Sequence, residues 1–177
     1  MSFNASTINK DSNLFMVDGL PLITVYDDNF FVRNDYDVLS VGQRNYLIRY
    51  FNKLGFTQTS GKTLTKSITT LHIPKPNSNL AVSSFDERFL KFDGANYYCV
   101  TPTMFAEALF YLTLDKQNHD VIKTLRRLIK KCPYNIEWLR DVSYHSPIEN
   151  ITKHTYQDLV DYQSFIVQKR YKKKKSL

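Results

Sequence analysis

The segment HDVIKTLRRLIKKCP, residues 119–133, constrains the fold more than any other stretch of the chain. Val121, Ile122, Leu125, Leu128, Ile129 and Cys132 recur at the period of one helix face, and Lys123, Arg126, Arg127, Lys130 and Lys131 line the other. Pro133 ends the run, because a residue without an N–H cannot continue the helical ladder. A helix this one-sided is not stable alone in water. It needs an apolar layer to lie on, and the rest of the chain has to provide one.

The first half reads mainly as strands. In NLFMVDGLPLITVYDD two β-rich runs flank Asp18-Gly19, a pair that tolerates the positive φ of a tight hairpin turn. Pro21 has no ladder donor, so its strand is expected at a sheet edge or only partly paired. Phe30-Phe31-Val32 reads as a third short strand. SVGQRNYLIRYFNKLG carries both helix-end signals: Ser40 with Gln43 as a capping box, and Gly55 at the left-handed C-terminal position. Leu47, Tyr50, Phe51 and Leu54 form its apolar stripe. The Thr-rich run after Gly55 breaks at Ser60-Gly61 and reads as a second hairpin, spanning 56–73. Residues 74–84, with two prolines and several Asn and Ser, read as a loop. Asp93-Gly94 then suggests another hairpin; the two Asp-Gly sites share too few side chains to mark a duplication.

The second half reads as helical. Thr101 and Pro102 open a helix that is apolar on most sides and therefore expected to be buried. A short helix is expected around Trp138, with capping boxes at Ser146 and Thr155 and a last helix from about Tyr156. The expected class is α+β: N-terminal hairpins with one amphipathic helix and a winged-helix-like helix–hairpin unit, then a helical half with a basic tail. The expected organisation is a flexible 1–12, a single domain over 13–168 with a point of subdivision near 74–84, and a basic tail over 169–177.

Composition excludes several function classes. With 42% hydrophobic residues, 12 Phe and 12 Tyr in 177 residues, the chain can build a core. Two cysteines, Cys99 and Cys132, are too few for a disulfide framework. The four histidines lack metal-ligand spacing and the five glycines form no phosphate loop. Asp27-Asp28, Asp35 with Asp37, and Asp86-Glu87 read as turn formers and solubilising charges. Nothing sets a base beside a nucleophile. The expectation is a non-enzymatic protein with no cofactor and no metal site. It has neither a membrane span nor the layout of a signal peptide, and is expected in the cytoplasm.

What remains is charge. The formal net charge is +7, unevenly spread: residues 41–80 hold six basic groups and no acidic one, and residues 116–177 hold fourteen basic against six acidic. Such local fields attract polyanions. Three basic elements stand out. In the 44–66 stretch, Asn45, Arg49, Asn52 and Lys53 share a helix face and offer the amide and guanidinium groups that pair with base edges. Arg44 lies nearer the apolar edge, where an intramolecular partner is equally compatible. Tyr46 can stack on a sugar or base, and Lys62 and Lys66 can meet phosphates from the hairpin. The second element is the helix face of Lys123, Arg126, Arg127, Lys130 and Lys131. The third is the tail: Lys169, Arg170, Lys172, Lys173, Lys174 and Lys175.

The order hairpin, acidic turn, FFVRNDYDVLS and helix is similar to that of the N-terminal domains of phage antirepressors; the likeness lies in the order alone and assigns no residue a role. The reading that follows is a nucleic-acid-binding regulator or accessory factor of a phage, virus or plasmid. Its partner is nucleic acid, with duplex DNA favoured over RNA and no membrane contact. The alternative is an inhibitor, like those directed at CRISPR complexes, that binds a host protein or ribonucleoprotein. On the leading reading, the basic elements form one continuous platform.

Overall fold

Asp18-Gly19 turns the chain as its composition requires: Gly19 has φ +87°, and β1 (Leu14–Met16) pairs antiparallel with β2 (Leu22–Val25) across it. The computed structural model describes residues 4–27, 39–74, 87–112, 119–137, 139, 147–172, 174 and 177. Strands β3 (Thr57–Ser60), β4 (Thr63–Lys66), β5 (Thr69–His72) and β6 (Asn96–Val100) complete one six-stranded sheet in the order β1-β2-β6-β5-β4-β3. The central trio β2, β6 and β5 is parallel, and the outer pairings are antiparallel. The fold is α+β, built on a mixed sheet.

Alternation along the strands divides the core in two. Leu14, Met16, Ile23, Val25, Leu64, Leu71, Tyr97 and Cys99 face one side, under α1 (Ala5–Ile8) and α2 (Val41–Lys53). Phe15, Leu22, Tyr26 and Val100 face the other, under α3 (Pro102–Leu112), α4 (His119–Lys131) and α5 (Pro147–Ile166). The apolar stripe of α4 is wholly buried at Val121, Leu125, Leu128, Ile129 and Cys132. Gln163 of α5 braces the turn after α4, since its amide accepts from Tyr134 N at 3.1 Å and donates to Tyr134 O at 2.8 Å.

The capping box of α2 forms as read, with Ser40 and Gln43 exchanging side-chain and backbone hydrogen bonds. The Gln43 amide also donates to Val25 O at 3.2 Å, which fixes the start of α2 at the end of β2. Gly55 takes φ +86°. Thr101 caps α3 by accepting from Met104 N at 3.2 Å.

Several expectations are corrected. Residues 4–12 are not loose. Asn4 caps α1, Asp18 accepts from Ala5 N at 3.0 Å, and Ala5 and Ile8 are buried. Pro21 does not put β2 at an edge: it stands just before the strand, and its carbonyl accepts from Tyr98 N at 2.8 Å. The Thr-rich hairpin is extended by β5 through a turn at Ser67-Ile68, so it is a three-strand meander joined to β6 and not a freestanding wing. Asp93-Gly94 makes no hairpin. A 3-10 turn, Glu87–Leu90, precedes it, and the Asp93 carboxylate accepts from Ala95 N and Asn96 N instead. The last helix begins at Pro147, with Thr155 inside it. After α5 the chain widens into a π turn, Val167–Tyr171, whose Tyr171 is buried where fraying was expected. Phe30–Val32, Trp138, Ser146 and most of the 74–84 loop lie outside the described residues.

Candidate nucleic-acid interface

Lys123, Arg126, Arg127 and Lys130 project from the outer side of α4, and all four are exposed. One contact joins this face to α5 and one joins it to the segment after α5. The Arg126 guanidinium lies 5.2 Å from the Tyr162 ring centroid, and Tyr171 donates its hydroxyl to Lys130 O at 2.7 Å. Lys169, Arg170 and Lys172, all exposed, are thereby carried alongside α4. Lys169 lies 5.5 Å from the ring of Phe165, which is itself 58% exposed. Among the described residues none of these seven cations is in an ion pair. Their positive charge faces solvent with only Asp158 and Asp161 of α5 as described, exposed acidic neighbours on that helix.

Arg127 leans toward β1, its guanidinium 5.9 Å from the Phe15 ring. Lys131 goes further. Its ammonium donates to the carbonyls of Asn9, Asp11 and Leu14, so it ties α4 to the chain around the sheet edge and leaves the outward face. Burial pushes its pKa down. Lys174 is likewise turned inward, 4.0 Å from the Tyr26 ring centroid and 5.0 Å from that of Tyr171, its pKa lowered first by burial. Lys173 and Lys175 lie outside the described residues.

The other basic element is divided in the same way. Asn45, Arg49, Asn52 and Lys53 are exposed on α2, and Lys62 is exposed in the β3–β4 turn. Arg44 has the intramolecular role its position allowed: it donates to Ile73 O at 2.8 Å, to Pro74 O and to Gly61 O at 3.0 Å, knitting α2 to the meander. Tyr46 is not a free stacking surface. Its hydroxyl donates to both oxygens of Asp11, at 2.9 and 2.8 Å, and burial with that bond pushes its pKa up to about 12. Lys66 donates to Leu54 O, satisfying a carbonyl at the end of α2, and its ammonium lies 5.9 Å from the Phe56 ring.

Among the described residues the single platform expected from the sequence is not formed. Helix α2 covers one face of the sheet and α4 the other, so their outer sides point in opposite directions. What the fold unites is α4 with 169–172. Sequence reading missed the residues that unite them, Tyr26, Tyr162 and Tyr171. The spacing of Tyr162, Ile166 and Tyr171 was the available signal, and it is blurred by the π turn, which shifts the helical period.

Both cysteines are buried free thiols. Among the described residues no group of His, Cys, Asp and Glu is placed to hold a metal ion, and no helix is long and apolar enough to cross a membrane. No family model, curated protein or solved structure matches the chain.

Proposed function

We propose that this is a non-enzymatic nucleic-acid-binding protein, a small regulator or accessory factor of a mobile element, that grips a duplex backbone through α4 and the segment after α5. One observation carries the reading: seven exposed cations, Lys123, Arg126, Arg127, Lys130, Lys169, Arg170 and Lys172, lie along one side of the helical layer without carboxylate partners among the described residues. Lys123 to Lys130 spans seven residues of helix, about 10 Å, a reach suited to successive phosphates of one strand. Charges of this kind neutralise phosphates and release counterions, which supplies affinity without reading sequence.

The finer, winged-helix-like reading belongs to the opposite side. There Asn45, Arg49 and Asn52 carry the groups that pair with base edges, with Lys62 beside them in the turn. The knitting of β3 and β4 into the sheet weighs against a wing that enters a groove, so the backbone-binding surface is the stronger of the two.

A mobility shift with random duplex DNA, single-stranded DNA and RNA, at low and moderate salt, tests the proposal. The expected result is duplex binding that weakens steeply with salt and is lost when Lys123, Arg126 and Lys130 are changed together to Gln. Failure to bind any of the three at low salt would overturn it and favour the inhibitor reading. In that reading the same cations, with the exposed Phe165 beside Lys169, would meet an acidic protein surface.

A further inference from the structure

The basic segment after α5 is anchored at three points. Tyr171 stacks on Tyr26, ring centroids 5.1 Å apart and planes 17° apart, while its hydroxyl is bound to Lys130 O. Lys174 lies over the same two rings and within 3.5 Å of Ser12 O. Leu177 packs against both apolar clusters, and its carbonyl oxygen lies so near α2 that a Cβ on Gly42 would stand 2.2 Å from it. Tyr26 directly follows β2 and Gly42 lies in the first turn of α2, with the Gln43 amide joining the two elements at Val25 O. The anchors therefore run across one end of the sheet, from the α4 layer to the α2 layer.

We infer that residues 167–172, with Lys174 and Leu177, form a docked strap, held by Tyr171, Lys174 and Leu177, that fixes the cations of Lys169, Arg170 and Lys172 beside α4 as one rigid positive strip for a nucleic-acid backbone. Its consequence for binding rests on the role proposed above; its docking does not. A loose polycation offers the same charge but has to be ordered when it binds, whereas a strapped one is ordered beforehand. Gly42 fits this arrangement. Alanine in a first helical turn is ordinarily the better helix former, but here its methyl would occupy the space that Leu177 fills.

The test uses the full chain and three variants that leave the strip's charges untouched: Gly42→Ala, Tyr171→Ala and Tyr171→Phe. Two readouts are taken, the rate of trypsin cleavage after Lys172 and Lys174 by mass spectrometry and the affinity for a short duplex. Gly42→Ala and Tyr171→Ala are expected to speed cleavage and to weaken binding roughly two- to tenfold, the ordering cost of one or two long side chains. Tyr171→Phe keeps the ring and should fall between them and the wild type. If Tyr171→Ala does not fold, Gly42→Ala on the surface of α2 carries the test alone. Equal cleavage rates in the wild type and the variants would overturn the docking. Faster cleavage with unchanged affinity would overturn its link to binding. A wild type that binds no nucleic acid would overturn both the functional reading and that link, and leave the docking to stand on the cleavage rates.

Discussion

Among the described residues, Glu107 is the least comfortable. It lies on the apolar helix α3, 8% exposed, and among the described residues its Oε2 has no hydrogen-bond partner. Burial pushes its carboxyl up to about 7. In the unfolded chain the group titrates near 4.5, so between these values the folded state holds a proton that the unfolded state has released. Stability should therefore fall as pH rises from about 4.5 to about 7 and stay low above it, by at most about 3 kcal/mol. Urea midpoints measured at pH 5 and pH 8 would show the loss. Glu107→Gln should flatten it and exceed the wild type at pH 8; an unchanged pH profile in that variant would clear Glu107 of the effect. Ser67 is the second strained residue, with φ +53° at the first position of the two-residue β4–β5 turn. That backbone region suits glycine. Ser67→Gly should raise stability by about 0.5–1 kcal/mol, read as a rise in melting temperature of about 1–4 °C.

At the scale of elements, α4 shows both what a sequence makes visible and where it stops. Its apolar face follows from spacing alone, and each residue assigned to it that is described as buried does pack on the sheet side. The polar face is correct for Lys123, Arg126, Arg127 and Lys130, but a helical wheel does not reveal what stands beside a helix. Lys131 lies at the margin of that face, and its long side chain bends to three carbonyls of the chain around β1. Arg44 and Lys66 depart from the outward reading for the same reason. Strand pairing was hidden more deeply. Asp93-Gly94 carries the composition of a hairpin, yet β6 takes parallel neighbours, β2 and β5, that lie far away in the chain. The capping box at Ser40 was legible because all its atoms lie within four residues. A prediction separates the two kinds of lysine. Lys131→Met should cost stability, about 1–3 kcal/mol for carbonyls left without their donor, with little effect on polyanion affinity. Lys123→Met should do the opposite. Chemical denaturation paired with binding titrations of the two variants distinguishes them, and equal binding losses would return Lys131 to the interface.

For the molecule as a whole, the decisive fact is that its cations face two ways. A helix packed on either side of a sheet places the axes of α2 and α4 roughly 20 Å apart. Screening at physiological salt acts over about 8 Å. A duplex lying along α4 should therefore not sense the charges on α2, however strongly the formal net charge of +7 suggests a uniformly attractive surface. This gives the salt dependence a definite form. If all seven cations of the strip meet phosphates, log K should fall against log salt with a slope near −6, from about 0.9 per phosphate. Each of Arg126→Ala, Lys130→Ala and Arg170→Ala should make that slope shallower by roughly 1. Arg49→Ala and Lys53→Ala should leave it unchanged. The opposite pattern, with the α2 variants flattening the slope and the α4 variants silent, would move the interface to the other face of the sheet. A slope that both sets flatten equally would require the nucleic acid to wrap around the molecule, because a straight duplex cannot touch both faces.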